Sequence, residues 1–169
     1  METKRLQLNR FSPDDADDFK ALIRDKMASP YAMYDHAFPT DDAGLRDVLN
    51  YFIGSEEFLA VRLRTEHKVI GFIALNPVDN ETRNLGYCIR SDYQRQGYAG
   101  EAVAAVKEYA RNELRVQRLV SGTAEANTPS VRLLLSAGFR VTGRGMESLG
   151  TSAQGEPVSF VGLTLECLL

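Results

Sequence analysis

At 169 residues, with 44% hydrophobic and 25% charged residues, the chain has the size and balance of one globular domain spanning residues 1–169. A formal net charge of -3 and a pI of about 5.5 argue against a nonspecific grip on nucleic acid and are compatible with a cationic substrate. No apolar run approaches the ~20 residues of a membrane span, Met1-Glu2-Thr3-Lys4-Arg5-Leu6 lacks a signal-peptide core, and two histidines do not supply a multi-histidine metal centre. The expectation is a cytoplasmic protein with no metal and no membrane partner.

Along the chain, Lys4 to Phe11 alternates and reads as a first strand. Ser12-Pro13-Asp14-Asp15 announces a helix, with Ser12 as cap, Pro13 in the first position and Asp15 as the capping-box acid. Ala16, Phe19, Leu22 and Ile23 form its apolar stripe. Met27 to Phe38 has no clear period. A second helix is expected after Thr40 as cap, with Leu45, Val48, Leu49 and Phe52 on one face and Asp41 and Asp42 as favourable first-turn charges. Three strands follow, Glu57 to Arg64, Lys68 to Leu75 and Arg83 to Arg90, joined by Thr65-Glu66-His67 and by Asn76 to Asn80. A long helix runs from Tyr98 to Leu114 and a strand from Gln117 to Thr123. A helix from Thr128 to Ala137 stops at Gly138. Phe139 to Glu147 and Pro157 to Cys167 are the last strands, with Ser148 to Glu156 as a loop. Cys88 and Cys167 sit in strand-like apolar context and read as small buried hydrophobes.

The segment that carries chemistry is Gln94-Arg95-Gln96-Gly97-Tyr98-Ala99, set between a strand and the long helix. A helix N-terminus offers unpaired backbone N–H groups and partial positive charge. Gly97 permits a tight turn and close ligand approach, and Ala99 keeps bulk away. N–H groups from Gln96 through Tyr98 and Ala99 to Gly100 can surround a pyrophosphate, with Arg95 adding charge. Neither a P-loop nor a dinucleotide-binding glycine pattern is present.

Three motifs in order carry a wider resemblance: Leu85-Gly86-Tyr87-Cys88-Ile89 through Gly97-Tyr98-Ala99-Gly100-Glu101-Ala102; Asn127-Thr128-Pro129-Ser130-Val131-Arg132-Leu133-Leu134; and Ala137-Gly138-Phe139. On these the sequence resembles the GNAT N-acetyltransferase superfamily, and within it the Rim-type branch of ribosomal-protein N-terminal acetyltransferases. The resemblance covers nearly the whole chain. It implies an α/β (α+β) fold: a single mixed, mostly antiparallel sheet, splayed at the central strands and flanked by helices. It implies acetyl-CoA as co-substrate and transfer of the acetyl group to a primary amine by direct attack in a ternary complex. The acceptor is either a protein N-terminal amine or a small-molecule amine.

By the same resemblance, the strands ending near Ile89 and Thr123 splay to admit the pantetheine arm. A backbone N–H around Ile89 polarises the thioester carbonyl as an oxyanion hole. Asn127 contacts the cofactor arm; as a residue it is equally a helix cap. Ser130 stands where relatives place a hydroxyl near the departing sulfur, and its local reading is a first-turn hydrogen bond. Relatives often carry an acid before the central Gly-Tyr pair, but this chain has Asn84-Leu85. That departure leaves the general base open among Glu125, Asp35, His36 and ordered water, and it is the main support for an alternative reading as a non-catalytic acyl-CoA-binding sensor. Tyr34, Asp35 and His36 are assigned to the acceptor side. Tyr31, Tyr34 and Phe38 either line an acceptor pocket or pack over the sheet, and His67 is a solvated turn residue. The assembly is expected to be a monomer or homodimer.

Overall fold

The computed structural model describes residues 1–151 and 157–169. The strands are β1 (Leu6–Asn9), β2 (Phe58–Leu63), β3 (Val69–Pro77), β4 (Thr82–Ile89), β5 (Arg118–Ala124), β6 (Arg140–Thr151) and β7 (Pro157–Leu168). They form one sheet in the order β1-β2-β3-β4-β5-β7-β6. Neighbours are antiparallel except β4 and β5, which run parallel. The helices are α1 (Ala16–Ala28), α2 (Asp42–Gly54), α3 (Tyr98–Asn112) and α4 (Thr128–Ser136). The mixed, mostly antiparallel sheet with flanking helices is the architecture expected from the sequence.

Two hydrophobic clusters sit on the sheet. One joins α1 and α2 to the sheet through Phe11, Phe19, Leu22, Ile23, Leu45, Leu49, Phe52, Ala60, Val69 and Phe72. Phe52 stacks on Phe58 at 3.8 Å between centroids and meets Phe11, Phe19 and Phe72 edge-on. Burying each such side chain contributes about 1.5–3 kcal/mol. The second cluster is aliphatic and joins α3 and α4 to the sheet through Val103, Val106, Ala110, Leu134, Leu85, Ile89 and Leu119.

The helix starts differ in detail from their sequence readings. Ser12 and Asp15 do form a capping box, with the Ser12 N–H donating to the Asp15 carboxylate at 2.7 Å. Pro13–Asp15 is, however, a 3-10 turn, and the α-helix begins at Ala16. Asp15 is buried because it also accepts two bonds from the Arg62 guanidinium, one of them at 2.6 Å. Burial opposes ionisation there, but Arg62 and the Ser12 N–H outweigh it and hold the carboxyl below its usual range. Helix α2 is capped by Asp41, whose carboxylate accepts from the Gly44 N–H at 2.9 Å, and not by Thr40. Asp42 is the first-turn charge, paired with Arg24 at 2.7 Å. Of the loop expected from Ser148 to Glu156, Ser148 to Thr151 belong to β6, and residues 152–156 lie outside the described residues.

The feature that positions the site is the mismatch between the two edges of β4. Toward β3 the register is continuous from Gly71↔Ile89 to Pro77↔Arg83. Toward β5 it holds only for Thr82↔Arg118, Arg83↔Leu119 and Asn84↔Val120. Beyond Asn84 the strands part, while β5 stays paired with β7 along its whole length. The expected splay therefore opens from Leu85 onward.

Candidate active site

Backbone alternation assigns each β4 peptide to an edge. The Arg90 N–H donates to the Ile70 carbonyl on β3 at 2.8 Å, so Cys88 and Gly86 also face β3. Leu85, Tyr87 and Ile89 then direct their N–H and C=O groups into the V. Two of the carbonyls there have side-chain partners. Leu85 C=O accepts from the buried Ser121 hydroxyl at 2.8 Å, which ties β5 to β4 at the apex of the V. Ile89 C=O accepts from the Gln94 side-chain amide at 2.7 Å. The N–H groups of Tyr87 and Ile89 lie beyond the end of the β4–β5 ladder.

The loop that follows is built for close approach. Arg95 and Gly97 are both left-handed, at φ 57° and 83°, and Gly97 is the residue immediately before α3. Only glycine adopts that conformation without penalty. Helix α3 begins at Tyr98 with a regular bond from the Glu101 N–H to Gly97 C=O at 3.0 Å. The N–H groups of Tyr98, Ala99 and Gly100 precede the first intrahelical donor, so they are the orphan donors of the helix start. Gln96 is pinned through its side-chain amide, which donates to Asp92 C=O at 2.9 Å, and the Arg95 side chain is exposed.

Across the V, Asn127 caps α4: its side-chain oxygen accepts from the Ser130 N–H at 3.3 Å. The Ser130 hydroxyl is not spent on its own helix. It lies 2.8 Å from the Tyr87 hydroxyl, which also approaches the Ser130 carbonyl at 3.3 Å. Burial pushes the Tyr87 phenol above its ordinary value, against the opposing bond with Ser130, so the pair keeps its protons at neutral pH. Tyr87 thus contributes a backbone donor to the V and a side chain to the wall beside it. The sequence reading used it only as part of the Gly-Tyr pair.

Of the residues considered for the acceptor side, Phe38 goes to the core cluster, while Tyr34, Asp35 and His36 stay together at the end of a 3-10 turn. Tyr34, in a 3-10 turn at Ala32–Tyr34, packs edge-on against Phe160 of β7 at 5.1 Å. Phe38 belongs to the aromatic cluster, 6.4 Å from Phe52. Asp35 is paired with Lys26 at 2.6 Å, and His36 is exposed, its N–H donating to Asp35 at 2.7 Å. Asn84 is exposed on β4. Glu125 is chelated by Arg144 through bonds of 2.9 and 2.8 Å, and that guanidinium holds its carboxyl below the usual range, which weakens it as a base. Burial pushes the Cys88 thiol up to about 12, so it stays protonated and is no nucleophile.

The splayed β4 edge with free N–H donors, next to a left-handed glycine turn and a helix N-terminus, fits a long extended ligand ending in phosphate. Known proteins share the fold and the sequence pattern that builds it. Residues 5–140 match the model of the acetyltransferase (GNAT) domain. The uncharacterized N-acetyltransferase YnaD of Bacillus subtilis is 30% identical over 142 residues, covering 83% of this chain and 82% of that one. The ribosomal-protein-S5-alanine acetyltransferase of Vibrio fischeri superposes with a TM-score of 0.81 at 16% identity, over 99% of this chain and 95% of that one. The spermidine N-acetyltransferase of Vibrio cholerae, solved in complex with CoA and spermine, superposes with a TM-score of 0.79 at 16% identity, over 98% and 96%. The chain belongs to the GNAT acetyltransferase family, and is an acyltransferase of the class that moves an acetyl group from acetyl-CoA to an amine.

Proposed function

We propose that this enzyme acetylates a primary amine by direct attack in a ternary complex, with the acetyl-CoA pyrophosphate on the α3 N-terminus and the pantetheine arm along the open edge of β4. Bound acetyl-CoA supplies an activated acetyl carbon and a thiolate leaving group. The remaining work falls to the chain. The N–H groups of Gln96, Gly97, Tyr98, Ala99 and Gly100 receive the pyrophosphate, and Arg95 adds a mobile positive charge. The Ile89 N–H, with the Tyr87 N–H two residues further from the loop, supplies the donors for the arm and for the developing oxyanion. The observation that carries this reading is the early end of the β4–β5 ladder, which leaves those donors facing a gap beside the loop.

Ser130 protonates the departing thiolate, with Tyr87 holding its hydroxyl. The demand is modest, because a thiol with a pKa near ~8.5 leaves tolerably unaided. Asn127 both caps α4 and faces the arm. With Glu125 tied to Arg144 and an amide at Asn84, the proton of the attacking ammonium leaves through ordered water. On the acceptor side, Tyr34 with its Phe160 contact, Asp35 and His36 border the mouth where the amine enters. The acceptor is a protein N-terminal amine or a small amine; the Vibrio proteins are named for a ribosomal-protein alanine and for spermidine.

The test is thiol release from acetyl-CoA across a panel of peptides and small amines. Acceptor-dependent release is expected; tight CoA binding without release for any acceptor would leave only the sensor reading.

A further inference from the structure

The pyrophosphate loop is held from outside by the first residues of the chain. Glu101, in the first turn of α3, accepts from the Thr3 hydroxyl at 2.5 Å, from the Arg5 backbone N–H at 2.9 Å and from Arg5 Nε at 2.7 Å. The same guanidinium donates through Nη1 to the Gln96 carbonyl at 2.9 Å. It lies 4.3 Å from the centroid of the Tyr98 ring, and a Cβ built on Gly97 would meet its Nη2 at 3.3 Å. Arg5 therefore touches three consecutive loop residues and the one carboxylate in the first turn of α3.

Two physical consequences follow for an anion on this helix end. A carboxylate in the first turn is favourable for a bare helix, but it competes with a bound pyrophosphate for the same positive potential. Burial opposes ionisation of Glu101, yet the Thr3 hydroxyl and the two Arg5 donors hold it below the usual glutamate range, so it is charged and needs compensation. Arg5 supplies that charge. In addition, N–H and C=O of a trans peptide point in opposite directions. Fixing the Gln96 carbonyl against Arg5 turns the Gly97 N–H away from β1, and a flipped peptide would present an oxygen to the phosphate instead. Both effects need the planar fork of arginine: one arm reaches the carboxylate and the other the carbonyl, a pairing that the point charge of lysine cannot make.

Resting on the reading of this loop as the pyrophosphate site, we propose that Arg5 is a positioning residue for CoA: it neutralises Glu101 and fixes the Gln96–Gly97 peptide so that the loop accepts a pyrophosphate. The segment just before β1 is thereby coupled to cofactor recognition without touching the reacting atoms.

The test compares binding of CoA, measured by calorimetry, with use of S-acetylpantetheine, which carries the thioester arm but no pyrophosphate. Arg5→Gln is expected to weaken CoA binding by about tenfold or more, the scale of losing charge-assisted hydrogen bonds, while kcat/KM for S-acetylpantetheine changes less than twofold. Arg5→Lys should fail to restore CoA affinity. Arg5→Gln combined with Glu101→Gln should recover part of it, because the uncompensated carboxylate is gone. Unchanged CoA affinity in folded Arg5→Gln, or an equal loss for both ligands, overturns the proposal. If Arg5→Gln does not fold, Thr3→Val and Arg5→Lys carry the same comparison, with thermal melting reporting the folded fraction. Gly97→Glu separates the two levels. If it binds CoA like the wild type, the loop reading itself fails and the proposal with it; if it loses CoA while Arg5→Gln does not, only the role of Arg5 falls.

Discussion

The two edges of β4 are made of the same eight residues and do opposite jobs. Toward β3 the register runs unbroken from Arg83 to Ile89, and the packing is close enough that a Cβ on Gly71 would meet the Cys88 carbonyl at 2.3 Å. Toward β5 the ladder stops at Asn84, and Ser121 takes the Leu85 carbonyl. An unpaired backbone group buried without a partner costs free energy, so the open edge is tolerable only where solvent or a ligand can supply partners. Stability comes from the saturated edge and the two clusters beside it, and the proposed cofactor site uses bonds that β5 does not make.

The largest effect is expected at the mouth of the open edge. Gly97→Glu should abolish acetyl-CoA binding in calorimetry, since it forces a side chain and a negative charge into a left-handed position at φ 83° on an anion site. The left-handed position should cost about 1–2 kcal/mol, so the melting temperature falls while the fold is retained. Affinity like that of wild type would remove the loop from the site.

On the structural side, Asp15→Asn leaves the Arg62 guanidinium without its carboxylate in a buried position, and should cost about 3 kcal/mol in denaturant unfolding without changing CoA affinity per folded molecule. The sign with pH follows from the depressed folded-state value. Asp15 contributes fully above its unfolded pKa of about 3.9, and the contribution is lost as pH falls through the lower folded pKa. The stability gap between wild type and Asp15→Asn should therefore narrow only below about pH 4; a gap already closing near neutrality would contradict the ion pair.

Gly71→Ala tests the saturated edge directly. It should destabilise by about 1–3 kcal/mol through overpacking against β4, and because the displaced Cys88 carbonyl shares a peptide with the Ile89 N–H, kcat should fall in the folded fraction as well. Ser130→Ala is the smallest expected effect and the most specific. It removes the hydroxyl partner of Tyr87 and should lower kcat about tenfold, with Kd for acetyl-CoA nearly unchanged. Tyr87→Phe should behave similarly, and the two losses should not add if the hydroxyls act as one unit. An unchanged rate in Ser130→Ala removes it from the mechanism.

Much of this was legible in the chain because it is local. The Ser12-Pro13-Asp14-Asp15 start, the period of Leu45, Leu49 and Phe52, Gly97 as the tight turn before α3 and Gly138 as a helix stop depend on neighbours within a turn or two, and the structure places them accordingly. Even the errors were local competitions, as where Asp41 takes the cap from Thr40 because its carboxylate reaches the Gly44 N–H. The order Leu85 to Ile89, loop, helix and Asn127 to Phe139 also determined the family.

What the sequence did not determine lies across large separations. Tyr87 meets Ser130 over 43 residues, Arg5 meets Gln96 over 91, and Tyr34 meets Phe160 only because β7 inserts between β5 and β6. No periodicity encodes such pairs, since each depends on where whole strands lie in the sheet. The sequence fixes where a helix end with free N–H groups must be; only the tertiary structure decides which distant side chains brace it and which edge of β4 stays open.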